Sequence, residues 1–551
     1  MITVDAILFF GLFAMCVGLI VVAKLSETIL NTKWKLCFLV PLVFVAVMLC
    51  IGGFELLMAP AYIAGAICLG GFFVEKSSVR RIVAVIAIAL VFLTTITTDE
   101  NPSYREADYV GDFEIAFDTL KAHYALAEHK KIDWDALYET YHAKFEEVKE
   151  QHDPVLNTII WKQFCAEFHD DHVRYGCEED AEKEAMIRMS GNDYGLSLMT
   201  LANGDVVAVN VAEKSEAFRA GIHNGTVITA WNGEDMDALF AKADMSILGG
   251  FPVKENEDFY RGIVAAGIGE DSVSITFVDD QGKSRDVDAT KMGDYYDRMK
   301  STLDIVDQGV EASNLSIVEQ SQDTYVLRIK NMMYDEASYE GTDYSEMEGN
   351  LRDQLNQLKE QGVKHLIIDI RGNGGGSPHM IMAIAKLLAP VGEYTYSYEG
   401  VFNKKTASYE KNGDGTYKVG EGLSFVGENL WDNRKVTILA NAQSVSAADH
   451  FTFLMKNLNL PNVDIVGFTT TNHSGQAITG IQLSSGILSY SVIPTLNEKG
   501  EIFVDTDATR QLKDSNVSII PFDQDAVTAL FDQGEDYLLK VVTEFDDWDD
   551  E

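Results

Sequence analysis

Four apolar runs follow one another within the first hundred residues, at about 4–23, 36–54, 56–74 and 82–96. Each is close to the ~20 residues that cross a bilayer as a helix, the fourth being short. The bilayer core offers backbone N–H and C=O groups no outside partner, so runs of this length satisfy them internally, as helices. A cleaved leader is followed by polar sequence, whereas here a second apolar run follows the first. The expectation is a four-helix transmembrane anchor over residues 1–98. Lys24, Lys33 and Lys35 lie between runs one and two, and Lys76, Arg80 and Arg81 between runs three and four. The connection between runs two and three has no basic side chain. Basic loops mark the cytoplasmic side, so both termini and the chain beyond the Asp99–Pro102 break are expected to be extracytoplasmic.

The first hundred residues carry six basic and six acidic side chains, so the whole formal net charge of −41 falls on residues 101–551. That surface repels nucleic acid and excludes it as a partner; lipid contact is expected only through the four spans. Cys16, Cys37, Cys50 and Cys68 sit in the apolar runs as fillers. Cys165 and Cys177 lie outside them, where an oxidising exterior permits but does not require pairing. No His/Cys cluster has metal spacing, and no metal or organic cofactor is expected.

Helical periodicity runs from Tyr109 to Phe168, through Phe113, Ile115, Phe117, Leu120, Trp134, Leu137, Tyr141 and Phe145. This sets a helical subdomain at 103–188, ending in the polar turn His169-Asp170-Asp171-His172. Residues 190–300 change to short β-runs with turns at Asn224-Gly225 and Asn232-Gly233, and a short helix stopped by Gly221. From Asp323 strands and helices alternate, which argues an α/β core with mainly parallel strands over 301–545.

Two stretches of that core carry chemistry. Arg371-Gly372-Asn373-Gly374-Gly375-Gly376 follows a buried strand and precedes a helix. Its glycines allow close backbone approach, so N–H groups can converge on an anion. Neither the phosphate-loop nor the dinucleotide spacing is present. In Val436 to His450 an apolar strand turns through small residues into a helix beginning near Ser446. The partial positive charge of a helix N-terminus would stabilise an oxyanion formed beside that hydroxyl. A serine at such a position is also an ordinary N-cap.

Residues 190–300 resemble a PDZ domain, in Ser215-Glu216-Ala217, Ala220-Gly221-Ile222 and Trp231-Asn232-Gly233. The resemblance implies capture of an extended peptide, often its C-terminal carboxylate, by strand addition beside Tyr194-Gly195-Leu196. LIIDIRGNGGG (366–376), ILANAQSVSAADHF (438–451) and VGFTTTNHSG (466–475) are similar to the C-terminal processing peptidases, that is, the tail-specific proteases and their tricorn-core relatives. The resemblance covers about 109–545. It implies an α/β core of the ClpP/crotonase type and a serine peptidase cleaving unfolded or C-terminal peptide segments. By similarity the nucleophile is Ser446. The oxyanion hole is the Ala447 N–H with a backbone N–H of the glycine loop, at Gly374 or Gly375.

The base divides the family into two branches. One uses a lysine after "VG", but 467–475 has none, and His473 stands about where it would be. The other uses a histidine after the helical region, which Phe168-His169-Asp170-Asp171-His172 resembles, with Asp171 in place of glycine. His172 is therefore the expected base and His473 the alternative. His450 is read as a packing residue and His169 as a surface one. The resemblance places the acid that orients His172 in Phe503-Val504-Asp505-Thr506-Asp507, at Asp507, with Asp505 in reserve. The combined expectation is a membrane-anchored extracytoplasmic serine endopeptidase acting on polypeptides. The alternative is an inactive membrane-tethered peptide-binding scaffold, suggested by the altered histidine and acid motifs.

Overall fold

The computed structural model describes residues 108–308, 315–333, 344–406, 408–432, 434–512 and 515–544. The four expected membrane spans lie outside the described residues. Among the described residues no helix is long and apolar enough to cross a membrane.

The helical periodicity of 109–168 resolves into three long helices, α1 (Tyr109–His123), α2 (Trp134–Gln151) and α3 (Pro154–Ala166), with a single helical turn at Ala127–Lys130 between the first two. Each starts at an aspartate N-cap, Asp108, Asp133 and Asp153, whose carboxylate accepts first-turn N–H groups. Phe113, Phe145, Trp161, Phe164 and Phe168 are fully buried between them. Cys165 and Cys177 are both free thiols. A short strand β1 (Arg174–Gly176) then leaves the helices, followed by α4 (Glu179–Ser190).

The β-rich region begins with the hairpin β2 (Ser197–Thr200) and β3 (Val206–Val209). A sheet of β4 (Ile228–Trp231), β5 (Ser272–Val278) and β6 (Ser284–Thr290) follows, with α5 (Lys254–Ala265) inserted before β5 and α6 (Tyr296–Asp307) after β6.

The core is a six-stranded sheet. Its strands are β7 (Leu315–Glu319), β8 (Thr324–Ile329), β9 (His365–Asp369), β12 (Lys435–Leu439), β13 (Val463–Gly467) and β17 (Ser518–Ile519). β7 is antiparallel to β8, and every later pair is parallel. The crossovers are α7 (Ser345–Glu360), α8 (Pro378–Leu388) and α9 (Ala447–Asn457). Between α8 and β12 stands a long hairpin, β10 (Gly392–Gly400) with β11 (Val419–Gly427). After β13 come β14 (Ala477–Gln482), β15 (Ile487–Ile493), the two-residue β16 (Thr495–Leu496) and, after β17, α10 (Tyr537–Glu544).

The sheet is buried on both faces, as parallel sheets are. Leu366, Ile368, Val436 and Ile438 pack on α7, α8 and α9, whereas Val326, Ile367 and Leu439 share a cluster with the β-rich region and α10. β1 pairs antiparallel with β15, Arg174 opposite Ser489, so the segment just before β1 is carried from the helical region into the core. β9 and β12 are neighbours, which puts the glycine loop and the serine turn side by side at their C-terminal ends, the usual place for a site on an open α/β sheet.

Candidate active site

The turn after β12 is fixed to its neighbours before it reaches Ser446. Ser444 Oγ donates to Ile370 O (2.9 Å), and Ala442 N donates to Thr469 Oγ1 (2.8 Å). Asn441 Oδ1 accepts from Gly372 N and Gln443 N, both at 3.1 Å. Ser446 then stands at φ 59°, ψ −117° as the N-cap of α9. A non-glycine residue held there carries strain of about 1–3 kcal/mol, as in a nucleophile elbow. Asp449, wholly buried, holds the turn: its carboxylate accepts from Ser446 N (3.1 Å), His473 N (2.9 Å) and Ser474 N (3.1 Å). Burial lifts its pKa to about 7 against those bonds. Because Ser446 is strained, Ser446→Gly should be more stable than Ser446→Ala by about 1–2 kcal/mol, read as a higher urea midpoint. Equal midpoints would mean that the turn stores no strain.

The glycine loop lies against this turn. Val445 N donates to Asn373 O (2.9 Å). A Cβ on Gly375 (φ 95°) would sit 2.6 Å from Ser446 Cβ and 3.0 Å from Ala447 N, so only glycine fits. Gly375 N–H, however, already donates to Asn373 Oδ1 (2.9 Å). This corrects the expectation for Gly375, which supplies space rather than a donor; Gly374 is exposed.

His172 reaches the same place through Ser474. Ser446 N donates to Ser474 O (2.9 Å), and Ser474 Oγ lies 3.2 Å from His172 Nδ1 and donates to Asp170 Oδ1 (2.6 Å). Nδ1 is thus engaged. Asp170 is the carboxylate that faces this histidine, 3.8 Å from Nδ1, and it also accepts the His172 backbone N–H (3.0 Å). Tyr124 Oη and Ser491 Oγ hold its other oxygen.

This arrangement corrects the expected acid. Asp507 Oδ1 accepts from Thr509 N and Oγ1 within its own turn, and Asp505 Oδ1 pairs with the buried Lys130 Nζ at 2.6 Å. The other histidines are placed elsewhere. His473 Nε2 meets Asn516 Oδ1 (3.3 Å), its ring lies edge-on to Phe453, and burial lowers its pKa to about 3. His450 Nε2 meets Gly475 O (2.6 Å) and its ring packs on Tyr396 and Phe503. His169, expected at the surface, is half-buried, and burial lowers its pKa to about 4.

Burial lowers the pKa of His172, and Asp170 and Asp171 oppose that shift without overcoming it. Burial works against the charge on Asp170, but His172, Lys130 and the hydrogen bonds from Ser474 and the His172 backbone hold its pKa below the ordinary carboxylate value. A base must be neutral, so with His172 in that role activity falls as pH drops through its pKa. The acid limb of kcat/KM should therefore lie below the ordinary imidazole value of about 6.5. A pH–rate profile with that limb above 7 would contradict the assignment.

Tyr194 and Leu196 are fully buried. Gly195 N donates to Asp193 Oδ1 (2.7 Å) and Gly195 O accepts from Ala212 N (2.8 Å). A Cβ on Gly262 of α5 would lie 2.8 Å from Leu198 O, so helix and β2 are in contact there.

Residues 323–508 match the model of peptidase family S41, and residues 105–164 match the tricorn protease C1 domain. Mature CPAF, in a complex with lactacystin, superposes with a TM-score of 0.50 at 14% identity, covering 80% of this chain and 98% of that one. The photosystem II D1 C-terminal processing protease gives 0.32 at 16% identity, over 77% and 97%. The tricorn protease gives 0.30 at 16%, over 79% and 36%. At these identities the likeness to CPAF concerns the fold. No curated protein matches the chain.

Proposed function

The chain is a serine-type peptidase with an S41 core, and from that premise we propose that it is an endopeptidase that cleaves unfolded polypeptides near their C-termini through an acyl-enzyme on Ser446. His172 Nε2 takes the Ser446 hydroxyl proton as Oγ attacks the scissile carbonyl. The Ala447 and Gly374 N–H groups receive the oxyanion. As the intermediate collapses, the C–N bond breaks and His172 gives its proton to the leaving amine. Water, activated by the same histidine, then releases the acyl group. Ser474 and Asp170 hold His172 in the tautomer with Nδ1 protonated. The observation that carries this reading is Ser474, which links Ser446 to His172 and Asp170. The likeness of 190–300 to a PDZ domain supports capture of the peptide end at Tyr194-Gly195-Leu196.

The test is cleavage of an unfolded reporter peptide with a free apolar C-terminus. Wild type and His473→Ala should cleave it, and Ser446→Ala and His172→Ala should not. Amidation of the reporter C-terminus should raise KM. Binding without cleavage by the wild type would instead mark an inactive scaffold.

The four apolar runs support a membrane anchor with the peptidase extracytoplasmic. The full-length chain should then stay with membranes through alkaline carbonate washing, and the domain from residue 108 should be accessible to external protease in intact cells. Release by carbonate, or protection until lysis, would contradict that topology.

A further inference from the structure

Helix α5 belongs to the β-rich region, yet two of its side chains reach the peptidase loops. Asn256 and Tyr260 are four residues apart, so they share one helix face, and both are about 1% exposed. Asn256 Nδ2 donates to Thr470 O (3.1 Å) and Thr471 O (2.9 Å), and its Oδ1 accepts from Thr470 Oγ1 (3.1 Å). Segment 470–474 lies between strands, and the carbonyls of Thr470 and Thr471 both accept from Asn256, Thr471 O lying also within reach of Thr470 Oγ1 (3.1 Å). Three residues beyond Thr471 comes Ser474, the hydroxyl that meets His172 Nδ1.

Tyr260 acts on the other side of the site. Its hydroxyl donates to Asp307 Oδ1 (2.6 Å), at the end of α6. Asn441 Nδ2 lies 3.3 Å from both Asp307 O and Oδ1. Asn441 Oδ1 takes the N–H groups of Gly372 and Gln443, so one amide joins the glycine loop to the turn that presents Ser446. Packing alone does not explain these groups. A buried amide and hydroxyl cost about 1–3 kcal/mol each if unpaired, and an apolar side chain of the same shape would fill the space without that risk.

We propose that Asn256 and Tyr260 are positioning residues for the peptidase reaction: α5 sets the distance between the segment that holds the base and the loops that hold the nucleophile and the oxyanion donors. The inference rests on Ser446 and His172 acting as described above. Neither side chain touches substrate. Their effect is on alignment, so it falls on kcat rather than on KM.

The test uses the full-length chain with Asn256→Leu and Tyr260→Phe, both close in volume to the originals. Tyr141→Phe is the control, because Tyr141 is equally buried and its hydroxyl donates to Glu167 (2.9 Å) in the helical region. The readouts are kcat and KM on the reporter peptide, the rate of Ser446 labelling by a fluorophosphonate, and the urea midpoint. Each α5 variant should lose about 10-fold in kcat and in labelling rate with KM within about 2-fold, and Tyr141→Phe should lose neither. Tyr260→Phe with a wild-type labelling rate would overturn the inference even if Asn256→Leu failed to fold. So would an equal loss in Tyr141→Phe. A wild type that is not labelled at Ser446 would overturn the peptidase mechanism itself, and this inference with it.

Discussion

Asp170→Asn is expected to lower kcat by about 10³-fold while leaving KM nearly unchanged. The change keeps the size of the side chain and removes its charge. In the wild type the order of donors is fixed: His172 Nδ1–H gives to Ser474 Oγ, and Ser474 gives to Asp170 Oδ1, 2.6 Å away. A carboxylate only accepts, so it forces that order. An amide can donate to Ser474, which would then give its own proton to Nδ1 and leave Nε2 protonated, unable to serve as base. The imidazolium formed in the transition state would also lose its nearest buried negative charge. Ser474→Ala should be milder, about 10- to 100-fold, because the charge on Asp170 remains. Steady-state kinetics decide this: Asp170→Asn with kcat within 5-fold of wild type would remove Asp170 from the mechanism.

The largest expected effect on stability is at Arg371. Its guanidinium bonds Asp369 through Nε (2.9 Å) and Nη2 (2.7 Å), and Asp536 through Nη1 (2.9 Å) and Nη2 (2.7 Å). Asp369 ends β9, and Asp536 precedes α10 and accepts Leu539 N. One side chain thus ties the glycine loop to the C-terminal helix. Arg371 is 2% exposed and Asp369 1%, so Arg371→Met strands a buried carboxylate. Breaking a buried pair from one side costs about 3–5 kcal/mol. The urea midpoint should fall accordingly, and Asp369→Asn added to Arg371→Met should recover part of the loss. A single variant within 1 kcal/mol of wild type would show that the two carboxylates find other partners.

Much of the site was legible because it is local. Ser446 and the glycine loop each follow a buried apolar strand, and strand, turn and helix start are consecutive in the chain. The same holds for α1 to α3, where helical spacing and aspartate caps coincide. The orienting acid was not legible from position in the core. Asp170 and Ser474 are 304 residues apart and meet only because β1 pairs with β15. A local signal did exist: an aspartate two residues before a histidine can accept that histidine's backbone N–H, as Asp170 does. The expected acids face other partners: Lys130 of the helical region pairs with Asp505, whose pKa burial still lifts to about 8, and Asp507 accepts bonds within its own turn. The first strand of the β10–β11 hairpin carries a signal of its own, since Tyr394, Tyr396 and Tyr398 alternate with polar residues at strand period. Gly375 was expected to donate because glycine loops bind anions, but the carboxamide of Asn373 two residues earlier takes its N–H.

The most direct test of the Ser446–His172 assignment is fluorophosphonate labelling of the wild type, His172→Ala and His473→Ala at pH 7, with the modified residue identified by peptide mass spectrometry. Labelling should fall on Ser446 in the wild type, persist in His473→Ala and be lost in His172→Ala. Labelling that survives in His172→Ala and disappears in His473→Ala would contradict the account and move the base to His473.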